Sequence, residues 1–248
     1  MTTDAPDRIA VFSDIHGNLH ALEAVLQTID EMQIEHMVCC GDVVGYGAFP
    51  NECVEVLRER EIPTLAGNHD HAALEWTDIR FFNHIAREAV VWTREHLSED
   101  NKAWLRQRPY TYDLGGLYYC VHSSPVRPRK WGYVLTFTDA LRCFEQFDQR
   151  FCFIGHSHQP AAVVHQDGEL TLPTTHQVPL APNARYLINV GSVGQPRDRN
   201  PRACFVTVDL SAGQIEFQRV SYDIEGAQRA IQTMGLPIEL AERLGYGF

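Results

Sequence analysis

Along this chain, apolar run after apolar run stops at a short cluster of aspartate, asparagine or histidine. Ile9-Ala10-Val11-Phe12 breaks into Ser13-Asp14-Ile15-His16-Gly17-Asn18. His36–Cys40 leads to Gly41-Asp42, and Ile62–Ala66 leads to Gly67-Asn68-His69-Asp70. Leu117–Val121 ends at His122, and Phe151–Ile154 ends at Gly155-His156-Ser157-His158. Short apolar runs rich in β-branched and aromatic residues read as buried strands. In open α/β sheets, ligands sit just beyond the carboxyl ends of the strands. The pattern therefore predicts that chemistry-bearing side chains from distant segments are delivered to one rim.

The intervening segments supply the rest of the architecture. Leu19, Leu22, Val25, Leu26 and Ile29 recur at helical spacing. A glycine-rich loop, Gly45-Tyr46-Gly47, precedes a helix opening near Pro50-Asn51 that turns Cys53, Val54 and Leu57 inward. Successive βα units favour parallel pairing with right-handed crossovers. A helical pattern covers about Leu74 to Leu105. Tyr110–Leu114 and Leu117–Val121 read as a hairpin joined by Gly115-Gly116. Ser123–Tyr133 is polar, basic and proline-broken, which predicts a surface loop. A short helix is expected over Thr138–Phe147. Further strands are expected at Ala162–His165, Leu170–Leu172, Tyr186–Val190, Ala203–Val208 and Ile215–Val220, and a helical tail over Ile224–Leu244. The fold class is α/β: a two-layered β-sandwich core of mixed sheets flanked by helices, in a single domain over residues 1–248.

Composition narrows the function. A net charge of −11 argues against a stable complex with nucleic acid, which requires a basic surface. It leaves room for an anionic substrate, because bound cations dominate the field around a site. Seven cysteines at irregular spacing read as reduced, partly buried thiols, not as a disulfide framework. The opening Met1–Asp7 is polar and acidic, unlike a secretory signal, and no apolar run is long enough for a membrane span. A soluble, cytoplasmic protein is expected, with homo-oligomerisation left open.

The strand-end candidates are Asp14, His16, Asp42, Asn68, His69, His122, His156 and His158. Carboxylate and amide oxygens with imidazole nitrogens, and no thiolate, suit manganese, iron or zinc without selecting strongly among them. Two ions about 3.5–4 Å apart need a ligand that reaches both, which a carboxylate does, and they acidify a water held between them. The remaining histidines read as structural or solvated; of these, only His71, beside Asp70, lies close enough to the candidates to be weighed with them.

Together the blocks Asp14-x-His16, Gly41-Asp42, Gly67-Asn68-His69-Asp70, His122 and Gly155-His156-x-His158 resemble the five motifs of the calcineurin-like metallophosphoesterase superfamily, in family order. The resemblance implies that Asp14, His16 and His158 hold one metal, that Asn68, His122 and His156 hold the other, and that Asp42 bridges them. It implies that His69 is no ligand but faces the leaving group as proton donor or transition-state stabiliser, a role suited to imidazole. Asp70 is expected to orient His69. The resemblance implies a dinuclear hydrolase of phosphate esters in which a metal-bridging hydroxide attacks phosphorus in line.

The protein serine/threonine phosphatases of that superfamily carry Asp-Arg-Gly shortly after the second motif. Here the run is Asp42-Val43-Val44-Gly45-Tyr46-Gly47, without arginine. The Gly45-Tyr46-Gly47 loop and Asn189-Val190-Gly191-Ser192-Val193-Gly194-Gln195-Pro196-Arg197 are similar to compact bacterial members, among them phosphodiesterases and diadenosine-polyphosphate hydrolases. The expected substrate is thus a small phosphodiester or nucleotide phosphoanhydride, with diadenosine polyphosphate the named candidate. Alternatives are a phosphomonoesterase or protein phosphatase on the same site, or a non-catalytic scaffold on the same fold. Expected substrate contacts are Arg127, Arg129 and Arg197, whose planar forks suit phosphate oxygens, and Tyr46, which with Trp131 is a candidate for stacking on a base.

Overall fold

A computed structural model describes residues 5–248; of the acidic opening segment Met1–Asp7, residues 1–4 lie outside the described residues. Two mixed sheets face each other, with helices on their outer sides. In the first, β2 (Met37–Cys39) pairs in parallel with β1 (Arg8–Phe12), followed by antiparallel β10 (Ala203–Asp209), β11 (Gln214–Val220) and β8 (Gln177–Pro179). The second runs β3 (Thr111–Leu114), β4 (Tyr118–Val121), β5 (Phe151–Ile154), β9 (Arg185–Asn189), β6 (Ala161–Gln166) and β7 (Glu169–Thr171). At its centre β4, β5 and β9 are parallel, while both edges are antiparallel.

Both faces of β1 are buried, which is why its sequence is continuously apolar instead of alternating. Ile9 and Val11 pack between the sheets with Phe151, Phe153, Tyr186 and Val206. Ala10 and Phe12 point the other way, onto the apolar faces of α1 (Leu19–Glu31) and α2 (Pro50–Glu59). Asn18 starts α1 by accepting the Ala21 N–H at 3.2 Å, and its amide also donates to the Gly194 carbonyl at 2.9 Å. Burial of Leu22, Val25, Leu26 and Ile29 fixes that helix to the sheet, each side chain contributing about 1.5–3 kcal/mol. On the far side, α6 (Phe137–Phe144) covers the second sheet through Ala140, Cys143 and Phe144.

Several local expectations need correction. Ile62–Ala66 forms no strand of its own; only Thr64 bridges Cys39. Pro63 has no N–H to give, and the Ala66 N–H donates to the Pro109 carbonyl at 2.8 Å, away from β2. Asn68 and His69 therefore open a helix, α3 (Asn68–Ala73), and do not end a strand. The helical stretch from Leu74 begins later and in pieces: α4 (His84–His96) is capped by Asn83, and α5 (Glu99–Leu105) by Ser98. The tail divides into α7 (Ile224–Thr233) and α8 (Ile238–Leu244), parted at Gly235, whose φ of 70° breaks the helical path. Strand β8 is a short exposed edge with too little alternation to be read from sequence. The expected surface loop Ser123–Tyr133 is only partly that, because Ser123, Ser124 and Pro125 are buried. All seven cysteines are free thiols, as expected, and all are buried. Among the described residues no helix is long and apolar enough to cross a membrane.

Candidate metal centre

The carboxyl ends of β1, β2, β4 and β5, two strands from each sheet, meet along one seam with the start of α3. Backbone hydrogen bonds knit the loops there: Asp14 N–H donates to Gly41 O at 3.0 Å, His16 N–H to Asp42 O at 3.0 Å, and Gly194 N–H to Asp14 O at 2.9 Å. These loops hold non-glycine residues in the left-handed region, with φ of 56° at Asp14, 51° at His16, 52° at Asp42, 66° at His156 and 60° at His158. Each costs on the order of 1–2 kcal/mol. The same conformation recurs in turns elsewhere, as at Gln33, Glu61 and Asp167, but its presence at five candidate ligands fits a pre-organised site.

Two half-sites result. In one, the Asp14 carboxylate, His16 and His158 converge: Asp14 Oδ1 lies 3.2 Å from His158 Nε2 and 3.7 Å from His16 Nε2. In the other, His122 Nε2 lies 3.1 Å from Asn68 Oδ1, with Asp42 and His156 completing the group. Asp42 Oδ2 stands between them, 3.3 Å from His122 Nε2 and 3.7 Å from His16 Nε2.

The ring nitrogens reveal what the half-sites lack. His16 Nδ1 donates to Val44 O at 3.2 Å, His158 Nδ1 to Gln195 O at 2.6 Å, and His122 Nδ1 to Cys40 O at 3.0 Å. A carbonyl only accepts, so a neutral ring keeps its proton on Nδ1 and presents a lone pair at Nε2, as in His158, whereas His122, beside Asp42, carries a proton on Nε2 as well in the metal-free protein. Yet His16 Nε2 and His158 Nε2 face each other at 3.1 Å. Asp14 Oδ1 and His156 Nε2 are buried with no partner at all. Acceptors turned on acceptors in a dry pocket call for a cation. The donor set thus fits two metal ions, with Asp42 at their junction.

Electrostatics agree. Burial pushes the Asp14 carboxyl up, but the surrounding imidazoles of His158, His16 and His122 outweigh it and hold the group well below the carboxylate range. Asp42 behaves likewise, with His122 and His69 outweighing burial. Burial lowers His156 to about 4 and His158 to about 3, keeping them neutral. His122 is the exception: burial opposes its protonation, but Asp42 raises it to about 9.

His69 shares no group with Asp14 or His156, but with His16 and Asp42 it forms a third buried cluster whose candidate ligand atoms lie within 4.8 Å of one another. Its backbone N–H donates to Asp42 Oδ1 at 2.8 Å, and its ring lies edge-on to His16, centroids 4.9 Å apart. The ring's Nδ1 has no partner. The expected orientation of His69 by Asp70 is therefore absent. Asp70 Oδ2 is taken by the N–H groups of Asp42 (3.0 Å) and Gly67 (2.9 Å), and Oδ1 by that of Val44 (3.1 Å). Asp70 shapes the Asp42 loop, not the imidazole.

Above the metal centre lies a cleft of about 350 Å³ lined by Asn68, His69, Phe82, Trp131, Tyr133, His156 and Arg197 among others. Tyr133 stacks on His156, ring centroids 4.1 Å apart at 22°. Tyr46 also lines the cleft, its ring tilted against His16 (4.6 Å) and His69 (4.5 Å); its hydroxyl accepts from Arg197 at 3.4 Å. Arg127 and Arg129 are not among the cleft's lining residues, and Arg129 lies over Tyr110 at 4.5 Å. His71 is ringed by Trp76, Tyr110 and Trp131 and belongs to the packing behind the cleft. Tyr133, Phe82 and Arg243 carry no sequence signal for a site, although Phe82 and Arg243 fall within helical patterns; Gln195 lies in the Asn189–Arg197 run but acts through its backbone carbonyl, which any residue carries.

Residues 8–213 match the calcineurin-like phosphoesterase superfamily domain. The chain is 38% identical over 242 residues to an uncharacterized protein of Methanocaldococcus jannaschii, covering 96% of this chain and 98% of that one. A metallophosphoesterase from Sphaerobacter thermophilus has a similar structure, with a TM-score of 0.83, 36% identity and coverage of 97% of this chain and 99% of its own. A hypothetical protein from Pyrococcus horikoshii shares the fold, with a TM-score of 0.78 at 20% identity over 97% of this chain and 98% of its own. The chain belongs to the calcineurin-like phosphoesterase superfamily, a family of metal-dependent hydrolases of phosphate esters.

Proposed function

We propose that the protein, folded as one domain over residues 1–248, hydrolyses a small phosphodiester or nucleotide phosphoanhydride of the diadenosine-polyphosphate type. The observation that carries this reading is the pair of imidazole lone pairs on His16 and His158, facing each other at 3.1 Å beside the unpartnered Asp14 Oδ1. Asp14, His16 and His158 would hold one cation and Asn68, His122 and His156 the second, with Asp42 placed to serve both. Manganese, iron and zinc all suit this donor set. When bound, two such ions acidify a water between them and withdraw charge from phosphate oxygens.

The chain's own residues do the rest. Backbone carbonyls of Val44, Gln195 and Cys40 hold the ligand imidazoles in one tautomer. Asp70 fixes the loop bearing Asp42 through three backbone N–H groups. Burial, partly offset by Asp42, holds His69 well below the ordinary imidazole range. An arriving phosphate dianion or diester anion stabilises its protonated form, so His69 then donates to the departing oxygen. Tyr133 and Trp131 wall the cleft with aromatic surface suited to a nucleoside. A cleft of about 350 Å³ is within the range for small-molecule sites.

The test is a substrate panel with manganese: p-nitrophenyl phosphate, its bis ester, a phosphopeptide and diadenosine tetraphosphate. The bis ester and the dinucleotide should be turned over well above the other two. Preferential hydrolysis of the monoester or phosphopeptide would overturn the assignment.

A further inference from the structure

Hydrolysis as described makes no use of the arginines on one wall of the cleft. Arg243, in the last turn of α8, lines the same cleft as Arg197, which follows the loop after β9. Neither guanidinium pairs with an Asp or Glu side chain among the described residues. Arg197 donates to the neutral oxygens of Gln195 (Oε1, 2.9 Å) and Tyr46 (Oη, 3.4 Å), and its Nε is buried without a partner. Arg243 donates from Nε alone, to the main-chain oxygen of Phe248, the last residue of the sequence, at 2.5 Å, and its two Nη groups have no partner among the described residues. By contrast Arg219, another arginine with a buried side chain, is paired with Asp198.

Two cations on one half-buried wall repel each other. Burial, and after it the Arg197 charge, lowers Arg243 from its ordinary range. In a chain carrying 32 acidic residues and a net charge of −11, an Asp or Glu partner is readily come by, yet none lines this wall among the described residues. Guanidinium groups lining one cleft with N–H groups still free form a receptor for an anion, and the planar fork suits phosphate oxygens. Their position relative to the metal centre is fixed. The Arg197 backbone N–H donates to His158 O at 3.2 Å, and its side chain reaches Tyr46, whose ring lies against His16 and His69.

We propose that Arg197 and Arg243 form a second anion subsite beside the metal centre, which takes the neighbouring phosphate of a substrate carrying two or more linked phosphate groups. The inference rests on the hydrolase reading above and narrows it: phosphoanhydrides of the nucleoside polyphosphate kind are favoured over diesters with a single phosphate. Arg243 contributes specificity from the C-terminal helix, a segment outside every motif of the sequence.

The experiment is calorimetric titration of the full chain at saturating free manganese, with ADP and with AMP as probes. Wild type should bind ADP roughly 10-fold or more tighter than AMP, the increment of one charge-assisted contact. Arg243→Gln should remove most of that ratio, and Arg243→Lys, which keeps the charge and loses the fork, should keep part of it. A purely structural role, exerted through the Phe248 contact, would weaken both nucleotides alike and leave the ratio intact. An ADP-to-AMP ratio near one in wild type overturns the proposal whether or not the variants fold. So does a ratio that Arg243→Gln leaves unchanged. Because the readout is binding, it is independent of the turnover panel. Bis-ester hydrolysis with no ADP preference sinks the subsite alone, whereas ADP preference without turnover supports the subsite and sinks the hydrolysis reading.

Discussion

Gly67→Ala puts the bridging role of Asp42 to a sharp test without touching a ligand. A Cβ on Gly67 would stand 2.1 Å from Asp42 Oδ1, 2.2 Å from Asp42 N and 2.8 Å from Asp42 Cα. Real Cβ atoms essentially never come within 3.0 Å of such neighbours, so the Asp42 backbone and carboxylate must retreat by about an ångström. Overpacking of this kind costs about 1–3 kcal/mol, which for a chain of this size lowers Tm by roughly 2–10 °C. The effect on the site is larger, because a displacement of about 1 Å is worth on the order of 100-fold where geometry is demanding. Manganese affinity should therefore fall about 100-fold, read by elemental analysis after equilibrium dialysis, with melting in chelator reporting the fold separately. Gly132→Ala is the control, since a Cβ there meets nothing within 4 Å. Wild-type metal affinity in Gly67→Ala would refute the view that Asp42 ties the two half-sites together.

Three further outcomes are expected. His69→Asn should retain its full metal content while turnover on the best panel substrate drops about 100-fold to 10,000-fold; equal turnover would remove His69 from the reaction. In the metal-free protein Asp42 raises His122 to about 9, so the ring is protonated near neutral pH and a cation must displace that proton. Manganese affinity should accordingly rise with pH until about 9, with proton release visible by calorimetry in buffers of different ionisation enthalpy; pH-independent binding contradicts this. The sign for stability is the opposite, since a raised histidine pKa favours the metal-free fold below the ordinary imidazole range and that contribution fades as pH rises through about 9. Finally, burial raises the thiols of Cys39, Cys40, Cys53, Cys143, Cys152 and Cys204, so a thiol reagent should label the native protein hardly at all and react stoichiometrically in denaturant.

What can be read from the sequence follows from where the information sits. Asp14, His16, Asp42, His122, His156 and His158 are legible because each follows an apolar run, and strand-then-polar junctions are local patterns. The core is legible for the same reason: the unbroken run Ile9–Phe12 already signals a strand buried on both faces. Ile62–Ala66 misleads because apolar content says nothing about hydrogen-bond partners, and the Ala66 N–H goes to Pro109, far away in sequence. Asp70 looks like a partner for its neighbour His69, but its oxygens are satisfied by Asp42, Val44 and Gly67 N–H groups that only the folded loops bring near. Tyr46 does line the cleft, but that its ring also packs against His16 and His69 is set by tertiary contacts that no local pattern records. Arg243 is invisible, because a basic residue ending a helix is ordinary and its neighbour Arg197 lies on a distant loop.

The most direct measurement is anomalous diffraction from a crystal equilibrated with manganese. Two peaks about 3.5–4 Å apart are predicted, one within the Asp14, His16 and His158 group, one within the Asn68, His122 and His156 group, and the Asp42 carboxylate touching both. A single peak, or ions bound away from Asp42, would contradict a dinuclear centre bridged by that residue.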